Sequence, residues 1–102
     1  MSNQLCLFQA LQVAPPVISK YGAWGHGFPI IRVEIGQYDD GRWMWATDIY
    51  SATYGHGYKL DPKWHNFAKT RRDAVDKARE EVATRLNDRD KKAAKRWLEG
   101  LA

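Results

Sequence analysis

Apolar and polar residues alternate most regularly in the middle of the chain. Residues 30–38 are rich in β-branched side chains, residues 42–53 are rich in aromatic ones, and Asp39-Asp40-Gly41 between them is a turn signal. This pattern predicts an antiparallel hairpin over about residues 30–53. A three-residue loop with Gly41 in the left-handed conformation gathers the apolar side chains on one face, which a two-residue loop does not. We therefore expect the three-residue loop.

The three-residue loop sets the register of the two strands and hence the composition of each face. Its apolar face pairs Ile31 with Ile49, Val33 with Thr47, Ile35 with Trp45, and Gln37 with Trp43. Its other face is mixed and places Arg32 opposite Asp48, a cross-strand pair worth about 0.2–1 kcal/mol. Extended beyond the strands, the same register places Gly25 opposite Gly55.

Helical periodicity dominates the end of the chain. Thr70 is a good N-cap with Asp73 three residues on, and an apolar stripe at helical spacing follows it. We expect helices over about residues 71–86 and 89–100, separated at Asn87-Asp88, although one long bent helix also fits. The stripe consists of Ala74, Val75, Ala78, Val82 and Leu86.

These elements predict one α+β domain spanning residues 1–102, a small antiparallel sheet packed by one or two C-terminal helices. A third strand is possible near residues 57–61, and residues 17–28 have the pattern of an extended connection. Residues 5–13 are apolar and fit either a strand or a helical turn. We expect Trp43, Trp45 and Trp97 to pack in or against the core.

Charge is divided unevenly along the 102 residues. The net charge is +4, but residues 59–102 hold 13 of the 16 Lys and Arg and eight of the 12 Asp and Glu. A basic half suggests an anionic partner, whereas a solvated helix laced with salt bridges is the alternative explanation. A lone Cys6, no signal-peptide pattern and no apolar run of membrane-spanning length lead us to expect a cytoplasmic protein with no membrane association.

One motif occurs twice: Trp24-Gly25-His26-Gly27-Phe28 and Tyr54-Gly55-His56-Gly57-Tyr58. The hairpin register predicts that both lie at one end of the sheet, where they would form one composite surface. Exposed rings near glycine loops stack on bases or anchor a protein partner. The candidate stacking or partner-binding residues are Trp24, His26, Tyr54, His56, Tyr58 and Trp64.

Basic residues cluster where the predicted helix begins. A helix start offers free N–H groups and a favourable dipole for phosphate, and acids are normally preferred there. The positive charge at this start therefore favours a functional role over a merely solvated first turn. The candidate phosphate-binding residues are Lys59, Lys63, Lys69, Arg71 and Arg72.

Two short stretches within residues 41–86 resemble nucleic-acid-binding families. Residues 70–78 look like the basic helix start of double-stranded-RNA-binding domains. The resemblance implies that Arg71 and Arg72 bind phosphates. The sequence departs from the family in two ways: Val75 stands at the family's third basic position, and the family's first helix is not evident upstream. Gly41-Arg42-Trp43 and the stretch from Phe67 to Ala78 are similar to the plant ethylene-response-factor DNA-binding domain. That resemblance implies a sheet face that reads the major groove, with Arg32 and Arg42 contacting DNA.

The sequence contains no pattern typical of an enzyme. No nucleophile elbow, phosphate-binding loop or His-Glu-x-x-His motif is present, and Cys6 lies in an apolar run. His26, His56 and His65 lack a short two-ligand spacing, so we expect neither a metal nor another cofactor, although a metal site at these histidines stays open.

The sequence thus predicts a non-enzymatic nucleic-acid-binding module. The alternative is a protein-interaction module that binds an acidic protein, such as a small inhibitor or adaptor encoded by a phage or another mobile element.

Overall fold

The computed structural model describes residues 15–102. They form a five-stranded antiparallel sheet with two helices, which confirms the predicted α+β fold. The elements are β1 (Val17–Tyr21), β2 (Ile30–Gln37), β3 (Trp43–Tyr50), β4 (Gly55–Gly57), β5 (Phe67–Ala68), α1 (Arg71–Arg85) and α2 (Asp88–Glu99). The strand order is β1-β2-β3-β4, and β5 also pairs with β3. No helix of the described residues is long and apolar enough to cross a membrane.

The central hairpin of β2 and β3 has the predicted register. Ile31 pairs with Ile49 and Arg32 with Asp48, and the Arg32 and Asp48 side chains form an ion pair at 2.7 Å. The loop has three residues, and Gly41 has a φ of +93°, a conformation that glycine adopts without strain. Alternation of the side chains along β2 and β3 therefore decides which residues face the helices.

The pairing of Gly25 with Gly55 is wrong. After β3 the chain turns at Ser51, whose N–H donates to the Tyr54 carbonyl at 2.8 Å, and β4 folds back against β3. Gly55 pairs with Tyr50 and lies in β4, so it never continues the hairpin ladder toward Gly25. The predicted third strand exists, but it covers Gly55–Gly57 rather than residues 57–61.

The predicted extended connection over residues 17–28 contains a strand. β1 lies antiparallel to β2, with Val17 opposite Ile35 and Tyr21 opposite Ile31. β1 is therefore the edge strand on the side of the sheet away from β4. The ambiguous apolar run of residues 5–13 and Cys6 lie outside the described residues.

The two helices are separate and close to their predicted bounds. The Thr70 hydroxyl accepts the Asp73 N–H at 3.1 Å, which confirms the predicted N-cap of α1. The Asn87 side chain caps α2 by accepting the Asp90 N–H at 2.7 Å, so the chain breaks between the helices instead of bending.

The main core lies between the sheet and the helices, and the predicted apolar stripe of α1 is buried in it. Trp43, Trp45 and Trp97 pack against this core as predicted, but each remains half-buried. The fully buried part of this core consists of Ile31, Val33, Ile49, Ala74, Ala78, Val82 and Ala94.

The opposite face of the sheet, hereafter the open face, is covered only in part. Leu60 lies over Gly36 and packs with Met44 and Ala46, and its N–H donates to the Glu34 carboxylate at 3.2 Å. The loop after β4 therefore crosses to this face and closes one end of it.

Candidate functional site

Four aromatic rings follow one another along β4 and the short 3-10 helix Pro62–Trp64. We call Tyr54, His56, Tyr58 and Trp64 the aromatic row. The ring centroids of Tyr54 and His56 are 6.4 Å apart, those of His56 and Tyr58 5.8 Å, and those of Tyr58 and Trp64 5.6 Å. Residues two apart in a strand share a face, which places the first three rings together. The end rings are exposed, Trp64 by 48%, whereas the two central rings are half-buried.

Cationic groups stand at both ends of the aromatic row. Arg85, in the last turn of α1, donates to the Tyr54 hydroxyl at 2.9 Å. At the other end the Lys63 ammonium lies 5.1 Å from the Trp64 ring centroid. Flat apolar surface is thus bracketed by positive charge, the combination that binds unpaired nucleotides.

A hydrogen-bonded network lies behind the aromatic row. One oxygen of the Glu81 carboxylate, Oε1, accepts from the Tyr58 hydroxyl at 2.6 Å and from the Thr47 hydroxyl at 3.1 Å. The Asn66 amide donates to the Tyr58 hydroxyl at 2.7 Å and to the Trp45 carbonyl at 3.2 Å. Burial, together with the hydrogen bond to Glu81, raises the pKa of Tyr58 far above its usual value. The phenol is therefore a fixed, neutral donor.

His56 lies next to this network, but its Nε2 takes no part in it. Its Nε2 is buried but has no hydrogen-bond partner among residues 15–102. Buried polar atoms are ordinarily paired, so this unpaired nitrogen is an exception within the fold. This nitrogen belongs to a ring that lines a cavity with Tyr58, Trp64 and Glu81.

Two adjoining cavities form a groove between the aromatic row and α1. The inner one, about 270 Å³, contains His56 and Tyr58, and the outer one, about 590 Å³, contains Tyr54 and Lys77. Asn66, Glu81 and Arg85 line both cavities. The groove thus offers aromatic walls, two carboxylates, an amide and two cations.

The first Gly-His-Gly segment does not join this groove. Trp24 lies in the loop between β1 and β2 and packs against Tyr50, with ring centroids 5.3 Å apart. Tyr50 neighbours Ile49 in β3 and so points to the open face, whereas His56 pairs with Ile49 on the helix side. The two segments share one end of the sheet but face opposite ways, so the composite surface is wrong. His26 is exposed in the same loop as Trp24.

The predicted phosphate-binding residues divide into separate groups. Lys63 lies at the aromatic row, and exposed Lys59 directly follows Tyr58. Arg71 and Arg72 instead line a cavity of about 480 Å³ between the start of α1 and the end of α2. Exposed Lys69 precedes the same end of α1.

The exposed side of α2 adds further positive charge. Its five basic side chains are exposed and make no ion pair within the part of the chain that the structure describes. Among the described residues, these side chains therefore do not form the salt-bridged helix surface that was the alternative explanation of the charge pattern. These residues are Arg89, Lys91, Lys92, Lys95 and Arg96.

The two arginines of the sheet are already engaged within the fold. Arg32 pairs with Asp48 at 2.7 Å and with Glu34 at 3.4 Å, and its side chain is only 25% exposed. Arg42 pairs with Asp40 at 2.6 Å and lies 3.7 Å from the Phe67 ring centroid. Phosphate would have to compete with these internal partners.

Glu81, Asn66, Thr47 and Arg85 belong to the site, although sequence reasoning did not select them. Glu81 is the one that leaves a signal, because it stands three residues after Ala78 and seven after Ala74, on the buried side of α1. A carboxylate on a buried helix face requires a polar partner, and here Tyr58 and Thr47 supply it.

Among residues 15–102, no three His, Cys, Asp or Glu side chains are close enough together to hold a metal ion. Comparisons with protein-family models, curated proteins and solved structures find no match to this chain.

Proposed function

We propose that the protein is a non-enzymatic nucleic-acid-binding module and that the aromatic row is its main contact surface. The observation that carries this proposal is the succession of four rings with Arg85 at one end and Lys63 at the other. Rings supply stacking for bases of any sequence, and the cations supply attraction for the phosphates between them.

An unpaired strand is the form of nucleic acid that suits this surface. Stacking needs base faces that a duplex hides, and the row lies in a groove rather than on a broad convex surface. Lys77 and Arg85 line the groove from α1 together with Glu80 and Glu81, so a strand threaded along it meets two cations among two carboxylates on one wall and rings on the other.

The basic residues outside the groove have a different part in this proposal. Arg71 and Arg72, with the exposed side of α2, attract the backbone at long range without contacting bases. The arginines lie about 20 Å along α1 from Arg85, given the helical rise of about 1.5 Å per residue.

Fluorescence anisotropy with a labelled single-stranded oligonucleotide of mixed sequence tests the proposal. We expect affinity to fall steeply between low and high salt, with a logarithmic slope of roughly −0.7 for each phosphate contacted. Trp64→Ala should weaken binding about tenfold or more, because stacking on one ring contributes about 1–3 kcal/mol. Combined Arg71→Glu and Arg72→Glu should weaken binding and flatten the salt dependence.

Phe28→Ala is the matched control for Trp64→Ala. Both side chains are exposed aromatics, 45% and 48% respectively, but Phe28 lies beside Trp24, away from the groove. Its removal should leave oligonucleotide affinity unchanged. Tight binding that survives high salt, the Trp64 change and the double charge reversal would contradict the proposal.

A protein-interaction module is the second candidate, and exposed side chains outside the groove favour it. Trp24 is 67% exposed and lies against Phe28, and Ile18 is exposed on the edge strand β1. Exposed apolar groups of this kind mark protein contacts. A stoichiometric complex with an acidic protein that resists nuclease, and that is lost in combined Trp24→Ala and Phe28→Ala, would favour this candidate.

A further inference from the structure

The groove beside the aromatic row contains a carboxylate whose position is fixed but whose bonding is incomplete. Glu81 Oε1 accepts two hydrogen bonds, from Tyr58 and Thr47. Its other oxygen, Oε2, receives no hydrogen bond and no ion pair from the described residues. Thr47 is only 1% exposed and Tyr58 is half-buried, so the two partners of Oε1 are themselves held by the fold and keep the carboxylate in place.

The surroundings of Glu81 determine from what kind of ligand its carboxylate can accept a further hydrogen bond. Cavities on both sides of it are walled by rings, Tyr54 in the outer one and His56 in the inner one. Glu81 makes no ion pair with Lys77 or Arg85, which line the same groove. A flat group that carries an N–H donor at its edge matches this combination of aromatic walls and a free acceptor.

His56 supplies a second unfilled position in the same groove. The His56 side chain lines the inner cavity together with Glu81, and its buried Nε2 has no hydrogen-bond partner among residues 15–102. A neutral imidazole nitrogen donates or accepts according to its tautomer, so it can pair with either a ring nitrogen or a carbonyl oxygen of a ligand. Two hydrogen-bonding positions along one wall suit the edge of a heterocycle.

We infer that the groove selects unpaired nucleobases that carry an exocyclic amino group, with Glu81 accepting a hydrogen bond from that amine. This inference rests on the proposed function and names the base chemistry that the same site prefers. Carboxylates recognise cytosine in this way, by accepting from its N4 amine. Uracil and thymine present a carbonyl oxygen at the equivalent position, which the Glu81 carboxylate would repel.

The test compares homopolymers of deoxycytidine and deoxyuridine of equal length at neutral pH. Their backbones are identical, so the phosphate attraction cancels and the base edge alone differs. We expect the cytidine polymer to bind about tenfold more tightly, the lower end of what one base contact contributes to discrimination. Glu81→Gln should remove this preference, since an amide both donates and accepts.

Asp39→Asn is the matched control, because it removes the same charge from the hairpin turn, outside the groove. Asp39 is exposed, lines neither cavity of the groove, and makes no ion pair in the described chain. This variant should keep the preference for cytidine, and thermal melting should show that both variants fold.

The outcomes separate the two proposals. Equal affinity of the unaltered protein for both polymers, with binding still sensitive to salt and to Trp64→Ala, overturns base selection and leaves nucleic-acid binding in place. Failure of both polymers and of the mixed-sequence oligonucleotide to bind overturns the proposed function itself. A preference that persists in Glu81→Gln shows that another group reads the base, and the assignment to Glu81 is then wrong.

Discussion

The two Gly-His-Gly segments contain the same three residues, but their glycines are required for different physical reasons. Gly25 and Gly27 lie in a loop with φ values of +88° and +95°, and a Cβ at either would meet nothing within 4 Å. Gly55 and Gly57 lie in β4, where a Cβ would meet the side chains of Tyr50 and Asp48. The backbone conformation requires glycine in the first pair, whereas the lack of space for a side chain requires it in the second pair.

The histidine and the aromatic residue that follows it also differ between the two segments, in exposure and in hydrogen bonding. His26 is exposed in a loop, whereas His56 is half-buried and its Nε2 is enclosed. Phe28 is exposed, whereas Tyr58 donates to Glu81. A repeated motif therefore identifies a similar composition, and only its neighbours across the sheet decide whether it becomes a site.

Replacement of the second glycine of the strand segment has the largest expected effect. In Gly57→Ala the added Cβ would overlap Asp48 Oδ1, and Asp48 is held by its ion pair with Arg32. Either β4 or this pair must shift, as in an overpacked core, and we expect a loss of about 2 kcal/mol in the free energy of unfolding. Urea denaturation measures the loss.

Gly55→Ala is the internal control, because its Cβ would lie 3.2 Å from the Tyr50 ring, a tight contact rather than an overlap. We expect a smaller loss there. Equal stability of Gly57→Ala and the unaltered protein would show that β4 is not held where the structure has it.

The aromatic residue that follows each Gly-His-Gly gives the next largest expected effect. Tyr58→Phe leaves Glu81 and Asn66 each without one partner, and we expect a loss of about 1–2 kcal/mol at neutral pH. The reverse change, Phe28→Tyr, adds a hydroxyl to an exposed ring and should stay within about 0.5 kcal/mol of the unaltered protein. A loss for Phe28→Tyr as large as for Tyr58→Phe would remove the distinction between the segments.

The hydroxyl of Tyr58 also predicts how stability depends on alkaline pH. Its pKa is raised in the folded protein by burial and by Glu81, so the folded state disfavours the phenolate. The stabilisation is fully present below the ordinary tyrosine pKa of about 10 and is lost as the pH rises above it. Urea denaturation of Tyr58→Phe should show a shallower decline above that pH, and parallel declines in the two proteins would contradict this assignment.

The hairpin register was predictable because side-chain alternation and the Asp39-Asp40-Gly41 turn agree. The path of β4 was not, because the register was extended through glycines, which have no side chain to mark a face and no preference for continuing a strand. β1 was missed for a related reason, since prolines before Val17 and glycines after Tyr21 resemble the ends of a loop.

The site was predictable only as far as its rings. Period-two spacing places Tyr54, His56 and Tyr58 on one side of a strand, but Glu81 and Thr47 are brought to Tyr58 by the packing of α1 on the sheet. Contacts between residues far apart in the chain depend on the tertiary fold, and alternation within one segment carries no information about them.

Replacement of the second glycine of the loop segment has a smaller expected effect than replacement of Gly57 and separates the two causes most directly. Gly27→Ala places a Cβ in open space at a φ of +95°, so any loss reflects backbone strain alone, about 1 kcal/mol. Asparagine tolerates positive φ better than alanine, and Gly27→Asn should therefore lose less despite its larger side chain. At position 57 the order reverses, because the larger side chain overlaps Asp48 more. Urea denaturation of the four variants measures both orders, and the same order at both positions would show that one cause governs both segments.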